Sequence, residues 1–204
     1  MRFVLASASP ARLGVLRAAG LDPEVRVSDV DEAAVLASVP DLTAAERVAA
    51  LARAKVAAVL PAVAGPAVLL GCDSMLLLDG VLLGKPGRAE LARERWSQLA
   101  GRTGQLLTGH ALVRIDASGA VLSQRTHTRS TGVTFATPTA AQLDAYVASG
   151  EPLQVAGGFT LDGLGGWFVD HIDGDPSNVI GVSLPLLRTL LTEVGVEVTR
   201  LWRR

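Results

Sequence analysis

From Val68 to Leu78 the chain reads Val-Leu-Leu-Gly-Cys-Asp-Ser-Met-Leu-Leu-Leu, a nearly unbroken apolar run with a carboxylate at its centre. Such a run belongs in a buried sheet, and burying Asp73 with it is costly unless something compensates the charge. A partner cation, a metal or a strand-end position beside a cleft would each resolve the conflict. A turn or capping aspartate at a strand end is the plainer alternative. Asp73 is the leading candidate for a catalytic group.

The surrounding pattern alternates strand and helix. Phe3 to Ala6 reads as a short buried strand and Pro10 to Ala19 as the helix after it, with a second strand over Pro23 to Val27. Thr43 to Leu60 is a helix opened by a Thr43/Glu46 capping box. Val68 to Leu70 is a strand, and Met75–Leu78 and Val81–Leu83 flank Asp79-Gly80, a hairpin signal. Arg88 to Leu99 is helical, and Gln105–Ile115 pairs with Val121–Phe135 as two long strands. Helix over Ala140 to Ala148, a glycine-rich loop at Gly157–Gly166, a strand at Trp167–Val169 and a helix from Ser183 to Val194 complete the chain. Early alternation with a long antiparallel pair in the middle predicts an α/β fold with a mixed sheet. One elongated domain spanning residues 1–204 is expected, with two lobes around a deep cleft.

Composition narrows the function. With 204 residues and 49% hydrophobic side chains, a substantial core needs neither disulfides nor a structural metal. A net charge of −1 makes no broad electrostatic case for a nucleic-acid polymer or a membrane surface, so an anionic ligand must be held by a few placed cations. One cysteine and three scattered histidines do not suggest a zinc site. Neither a signal peptide nor a membrane span is apparent, and a cytoplasmic protein is expected. Seventeen of the nineteen basic residues are arginine, which makes the two lysines, Lys55 and Lys85, worth following.

Four further candidates carry chemistry. Ser7-Ala8-Ser9-Pro10-Ala11-Arg12 follows a strand, and Ser9-Pro10 is an ordinary N-cap with proline in the first turn. Arg12, however, stands where a capping box places Glu and opposes the positive helix end. Two hydroxyls, first-turn N–H groups and a guanidinium together would cradle a phosphate. Lys55 falls on the apolar stripe of its helix with Val48, Leu51, Ala52 and Val59, either snorkelling at the edge or projecting into a cleft. Val30-Asp31-Glu32 offers adjacent carboxylates, solvated by default, of which one could ligate a metal. Lys85 in Gly84-Lys85-Pro86 ends a turn, where it is either exposed or in contact with phosphate. Asp173, Asp175 and Asn178 read as turn and cap residues.

Together these pieces resemble the Maf family of nucleotide pyrophosphatases. The resemblance runs through Leu5-Ala-Ser-Ala-Ser-Pro-Ala-Arg12, Val30-Asp-Glu32, Ala54-Lys55, Cys72-Asp73-Ser74, Gly84-Lys-Pro86, Leu99-Ala-Gly-Arg102 and Thr108-Gly109. It continues through Tyr146, Gly150-Glu-Pro152, Ala156-Gly157, Gly163, Asp173-Gly174, Asn178-Val179 and Leu184-Pro185. It implies a single elongated α/β domain of the Maf/inosine-triphosphatase kind, often homodimeric, that hydrolyses a pyrimidine or noncanonical nucleoside triphosphate between the α and β phosphates. It implies Asp73 as general base, phosphate contacts from Ser7, Ser9, Arg12, Lys55 and Lys85, and Glu32 as the metal-associated acid; the mechanism expected from these residues holds a Mg²⁺ or Mn²⁺ ion on Glu32 and Asp73.

Departures bear on the base. Family members acting on dTTP and UTP tend to have Arg after Ser-Pro, Thr after the aspartate and Gln in the glycine-rich loop; those acting on methylated GTP tend to have Trp, Gln and Glu. Here the residues are Ala11, Ser74 and Asp162, which fit neither set. Asp162 would accept hydrogen bonds from a purine N1–H or exocyclic amine. Gly104 and Val155 replace a usual His and Lys. The rival readings are a nucleotide-binding regulator of septum formation without turnover, and a phosphatase acting at the γ position.

Overall fold

The structure is a computed structural model and describes residues 1–203. Strands are β1 Arg2–Leu5, β2 Glu24–Val25, β3 Ala67–Leu78, β4 Val81–Leu83, β5 Thr103–Ile115, β6 Val121–Phe135 and β7 Val169–Asp173. Helices are α1 Pro10–Ala18, α2 Glu32–Ala37, α3 Ala44–Val59, α4 Ala89–Leu99, α5 Ala140–Ala148, α6 Pro176–Ile180 and α7 Leu184–Glu193. The strands form one mixed sheet of order β2-β1-β3-β5-β6-β7, with β4 on β3. β1 runs parallel to β2 and β3, while β4 and β7 are antiparallel to their partners. The α/β class with a mixed sheet is as the patterning predicts. No helix among the described residues is long and apolar enough to cross a membrane.

Two compact units divide the chain. The first comprises Met1–Asp73, Thr108–Arg129 and the chain from Gly181 onward; the second comprises Ser74–Leu107 and Ser130–Ile180. In the first, strand pleating sends alternate residues to opposite faces. Phe3, Leu5, Val68, Leu70 and Cys72 pack with Leu16 of α1 and Leu187, Leu190 and Leu191 of α7. Val4, Ala6, Ala67 and Leu69 pack with Ala52, Val56 and Val59 of α3. Apolar side chains on both faces explain why β3 reads as an unbroken hydrophobic run. The second unit is built round Trp96, which meets Phe135, Tyr146 and Phe168 edge-on and donates its indole N–H to the Gly158 carbonyl at 2.8 Å.

Helix α3 lies unusually close to the sheet. A Cβ on Gly71 of β3 would stand 2.4 Å from the Ala52 carbonyl oxygen, and one on Gly109 of β5 2.4 Å from that of Val48. Both contacts are with backbone, which has no rotamer to yield. Gly109→Ala is therefore expected to destabilise the protein by about 1–3 kcal/mol through overpacking. Urea denaturation checks this; an unchanged midpoint would show that α3 moves away freely.

Several local expectations are corrected. β3 is continuous from Ala67 to Leu78, so Asp73 is mid-strand rather than at a strand end. Gly71 and Asp73 look like strand breakers in sequence; in the fold one admits α3 and the other meets a cation. Asp31 and Glu32 are not plain loop acids: Asp31 caps α2 by accepting the Ala34 N–H at 2.9 Å, and Glu32 begins the helix. The last strand starts at Val169, after a 3₁₀ turn over Leu164–Phe168 in which Trp167 is 85% exposed. The short helix α6 had no sequence counterpart. It is capped by Asp175, whose Oδ1 accepts from Ser177 N and Oγ.

Candidate active site

Because Cys72 joins the α1/α7 face, its neighbour Asp73 points to the α3 side, as Leu69 and Gly71 do. Lys55 stands one helical turn beyond Ala52, the residue against which Gly71 packs. The two charges meet: Lys55 Nζ donates to Asp73 Oδ1 at 2.5 Å. Lys55 is 7% exposed and Asp73 5%. The apolar-stripe position of Lys55 is thus a projection toward a buried acid, not a snorkel to solvent. The same ammonium lies 2.7 Å from Glu32 Oε1, whose side chain is 47% exposed. One cation holds two carboxylates.

Burial pushes the Asp73 carboxyl above its ordinary range, and the attraction of Lys55 and Arg12 offsets only part of that, with Glu32 adding repulsion. A carboxylate so poised is a better proton acceptor near neutrality than an exposed one. The adjoining Cys72 thiol is pushed up to about 12, chiefly by burial, which leaves it inert.

The start of α1 forms the second cluster. Ser9 is the N-cap, its Oγ accepting the Arg12 N–H at 3.4 Å, with Pro10 in the first turn. Ser7 Oγ accepts from Ser9 N at 3.1 Å and from Arg12 Nη1 at 3.2 Å. Arg12 Nε donates to the Gly181 carbonyl at 3.1 Å. The capping reading of Ser9 is correct, and the guanidinium is also turned back onto the helix entrance. Its charge acts on Asp73 as well, so the strand-to-helix turn and the ion-paired acid share one electrostatic neighbourhood.

The family profile described as Maf-like protein matches residues 2–194. The chain belongs to the Maf-like family. Its relatives cover it almost end to end. A nucleoside triphosphate pyrophosphatase of Nocardia farcinica is 63% identical over 205 residues, covering 98% of this chain and 96% of its own. One of Saccharopolyspora erythraea is 61% identical over 206 residues, covering 99% and 97%. Another of Mycolicibacterium gilvum is 59% identical over 208 residues, covering 100% and 99%.

In this Maf-like chain the first unit brings together Ser7, Ser9, Arg12, Glu32, Lys55 and Asp73. Ser74, Lys85 and Asp162 belong to the second unit. Ser74 follows Asp73 on β3 and is half-buried, whereas Lys85 and Asp162 are exposed. Among the described residues, no three His, Cys, Asp or Glu side chains gather as a metal cluster.

The roles of two contributors were not legible. The Gly181 carbonyl is one, since nothing in sequence links it to Arg12. Glu151 is the other. Its carboxylate accepts from Thr160 Oγ1 at 2.5 Å and from the N–H groups of Leu164 and Gly165 at 3.0 Å each. Burial raises its pKa, but these hydrogen bonds outweigh burial and hold it below the ordinary glutamate value. The glycine-rich loop bearing Asp162 is thereby tied down from one side chain.

Proposed function

We propose that this protein hydrolyses a nucleoside triphosphate to the monophosphate and pyrophosphate, with Asp73 as the general base. The observation that carries the reading is the buried Asp73 carboxylate on Lys55, beside Glu32 and within the field of Arg12. The full-length likeness to proteins named nucleoside triphosphate pyrophosphatase supports the same reaction class.

The triphosphate tail lies at the entrance to α1. There Ser7, which already accepts two hydrogen bonds, has its O–H to donate. The Ala11 N–H is in the first turn, where helix geometry provides no acceptor. Arg12 and Lys55 neutralise charge that builds on the phosphoryl oxygens. Asp73 takes a proton from the attacking water as its oxygen bonds to the α-phosphorus. The bond to the α–β bridging oxygen breaks, and pyrophosphate leaves with that electron pair.

The donor set fits a divalent ion such as Mg²⁺ or Mn²⁺. Glu32 Oε1 and Asp73 Oδ1 are hard carboxylate oxygens that both meet the Lys55 ammonium, and such an ion would be held by one or both carboxylates together with water and substrate phosphate. When bound, the ion supplies charge neutralisation at the phosphates and acidifies water.

The test is a panel of ordinary, methylated and deaminated nucleoside triphosphates with a divalent metal, read for monophosphate, pyrophosphate and inorganic phosphate. Monophosphate with equimolar pyrophosphate is expected. Inorganic phosphate with a diphosphate would instead show attack at the γ position, and binding without products would leave a nucleotide-sensing regulator. The same panel reads base preference: guanine-like or methylated bases are favoured if the exposed Asp162 accepts from the base. Preference for UTP and dTTP, unchanged by Asp162→Gln, removes that role.

A further inference from the structure

We infer that His110 is a positioning residue for Arg12, acting through the Gly181–Ser183 segment; the inference rests on the phosphate-binding role proposed for Arg12. His110 interrupts the apolar run of β5 and is wholly buried. Its Nε2 accepts the Ser183 backbone N–H at 2.9 Å. A ring nitrogen that accepts carries no proton, so the imidazole is neutral and its proton sits on Nδ1. Nδ1–H then donates to the Thr108 carbonyl at 3.0 Å. Thr108 and Ser183 are wholly buried too, so water cannot replace these bonds.

Ser183 is also the N-cap of α7, its Oγ accepting the Leu186 N–H at 3.2 Å. Two residues earlier, the Gly181 carbonyl receives Arg12 Nε, while Nη1 of the same guanidinium reaches Ser7 Oγ. Val182 between them is buried in the α1/α7 core. The approach is close: a Cβ on Gly181 would lie 3.1 Å from both Cγ and Nε of Arg12, and its φ of +127° suits glycine. The direction of the Gly181 carbonyl thus sets that of the guanidinium, whose planar fork is sensitive to angle. His110 sets the carbonyl by anchoring Ser183.

The test is a double-mutant cycle. His110→Leu is made in the wild type and in Arg12→Ala. Pyrophosphate binding is measured by calorimetry, and KM and kcat with the best-used triphosphate. In the wild type, His110→Leu is expected to weaken pyrophosphate binding and to lower kcat/KM by roughly tenfold each. In Arg12→Ala it should add less than about twofold. His110→Gln, whose Oε1 reaches toward the Ser183 N–H, should recover most of the loss. A tenfold effect in both backgrounds, or none in the wild type, overturns the inference. If His110→Leu does not fold, His110→Gln is compared with His110→Asn, which keeps the Thr108 bond but is too short for Ser183. Equal pyrophosphate affinity of those two counts against the inference, and weaker binding by His110→Asn supports it. Failure of the enzymatic reading looks different, because the wild type itself then shows no turnover.

Discussion

Asp73→Asn is expected to lower kcat by about 10²–10⁴-fold, the range associated with losing a positioned general base. The substitution keeps the shape of the side chain and removes its capacity to take a proton. Pyrophosphate release under saturating triphosphate is the measurement, and a near wild-type rate would remove Asp73 from the chemistry. The pH dependence has a defined sign. The base must be ionised, and burial raises its pKa above the ordinary 3.8, so kcat/KM falls on acidification before an exposed aspartate would titrate. Stability runs the other way. A group whose folded pKa is raised binds its proton more tightly when folded, so its contribution is fully present below the unfolded value. It is lost as pH rises through the folded one. Asp73→Asn does not titrate, and its stability should improve relative to the wild type as pH rises through that window. Parallel denaturation curves across this range would show that the acid is solvated after all.

Lys55→Met should be the most destabilising of the site substitutions, at about 3–5 kcal/mol near neutral pH, because it strands a buried carboxylate without its counter-ion. Methionine fills much of the space, so the loss is electrostatic rather than a cavity. Glu32 contributes little to it, since half of that side chain is in water. Two controls isolate the cause. Mild acid, which lets Asp73 take a proton, should shrink the deficit, and Lys55→Met combined with Asp73→Asn should recover much of the stability. Additive losses in the double variant, or a deficit indifferent to pH, would mean that Lys55 acts through packing alone. Activity should fall as well, because the ammonium that orients the base is also a cation for the phosphates.

Much of this could be read from local patterns. The Thr43/Glu46 capping box, the Ser9-Pro10 helix start and Asp79-Gly80 between two apolar segments are instructions written within a few residues, and the fold obeys each. Asp73 was conspicuous for a related reason, since a charge inside an aliphatic run violates the expected cost of burial. His110 is likewise a polar group, here uncharged, within Leu106 to Val113, a run that reads as plain strand. Helix α2 and the continuity of β3 were harder, because short capped helices and strands containing Gly and Asp depend on what packs against them.

The amino-acid order alone determined most of the helices and strands, which face of α3 is apolar, and that a carboxylate and a lysine lie where apolar side chains belong. Only the tertiary structure decided that these two charges neutralise one another. Residues 55 and 73 meet because glycines at 71 and 109 let α3 settle onto the sheet, and Arg12 turns toward Ser7 because a carbonyl far along the chain receives it. Burial penalties are local and can be read one residue at a time. The interactions that repay them depend on distances between segments remote in sequence, and those exist only once the chain has packed.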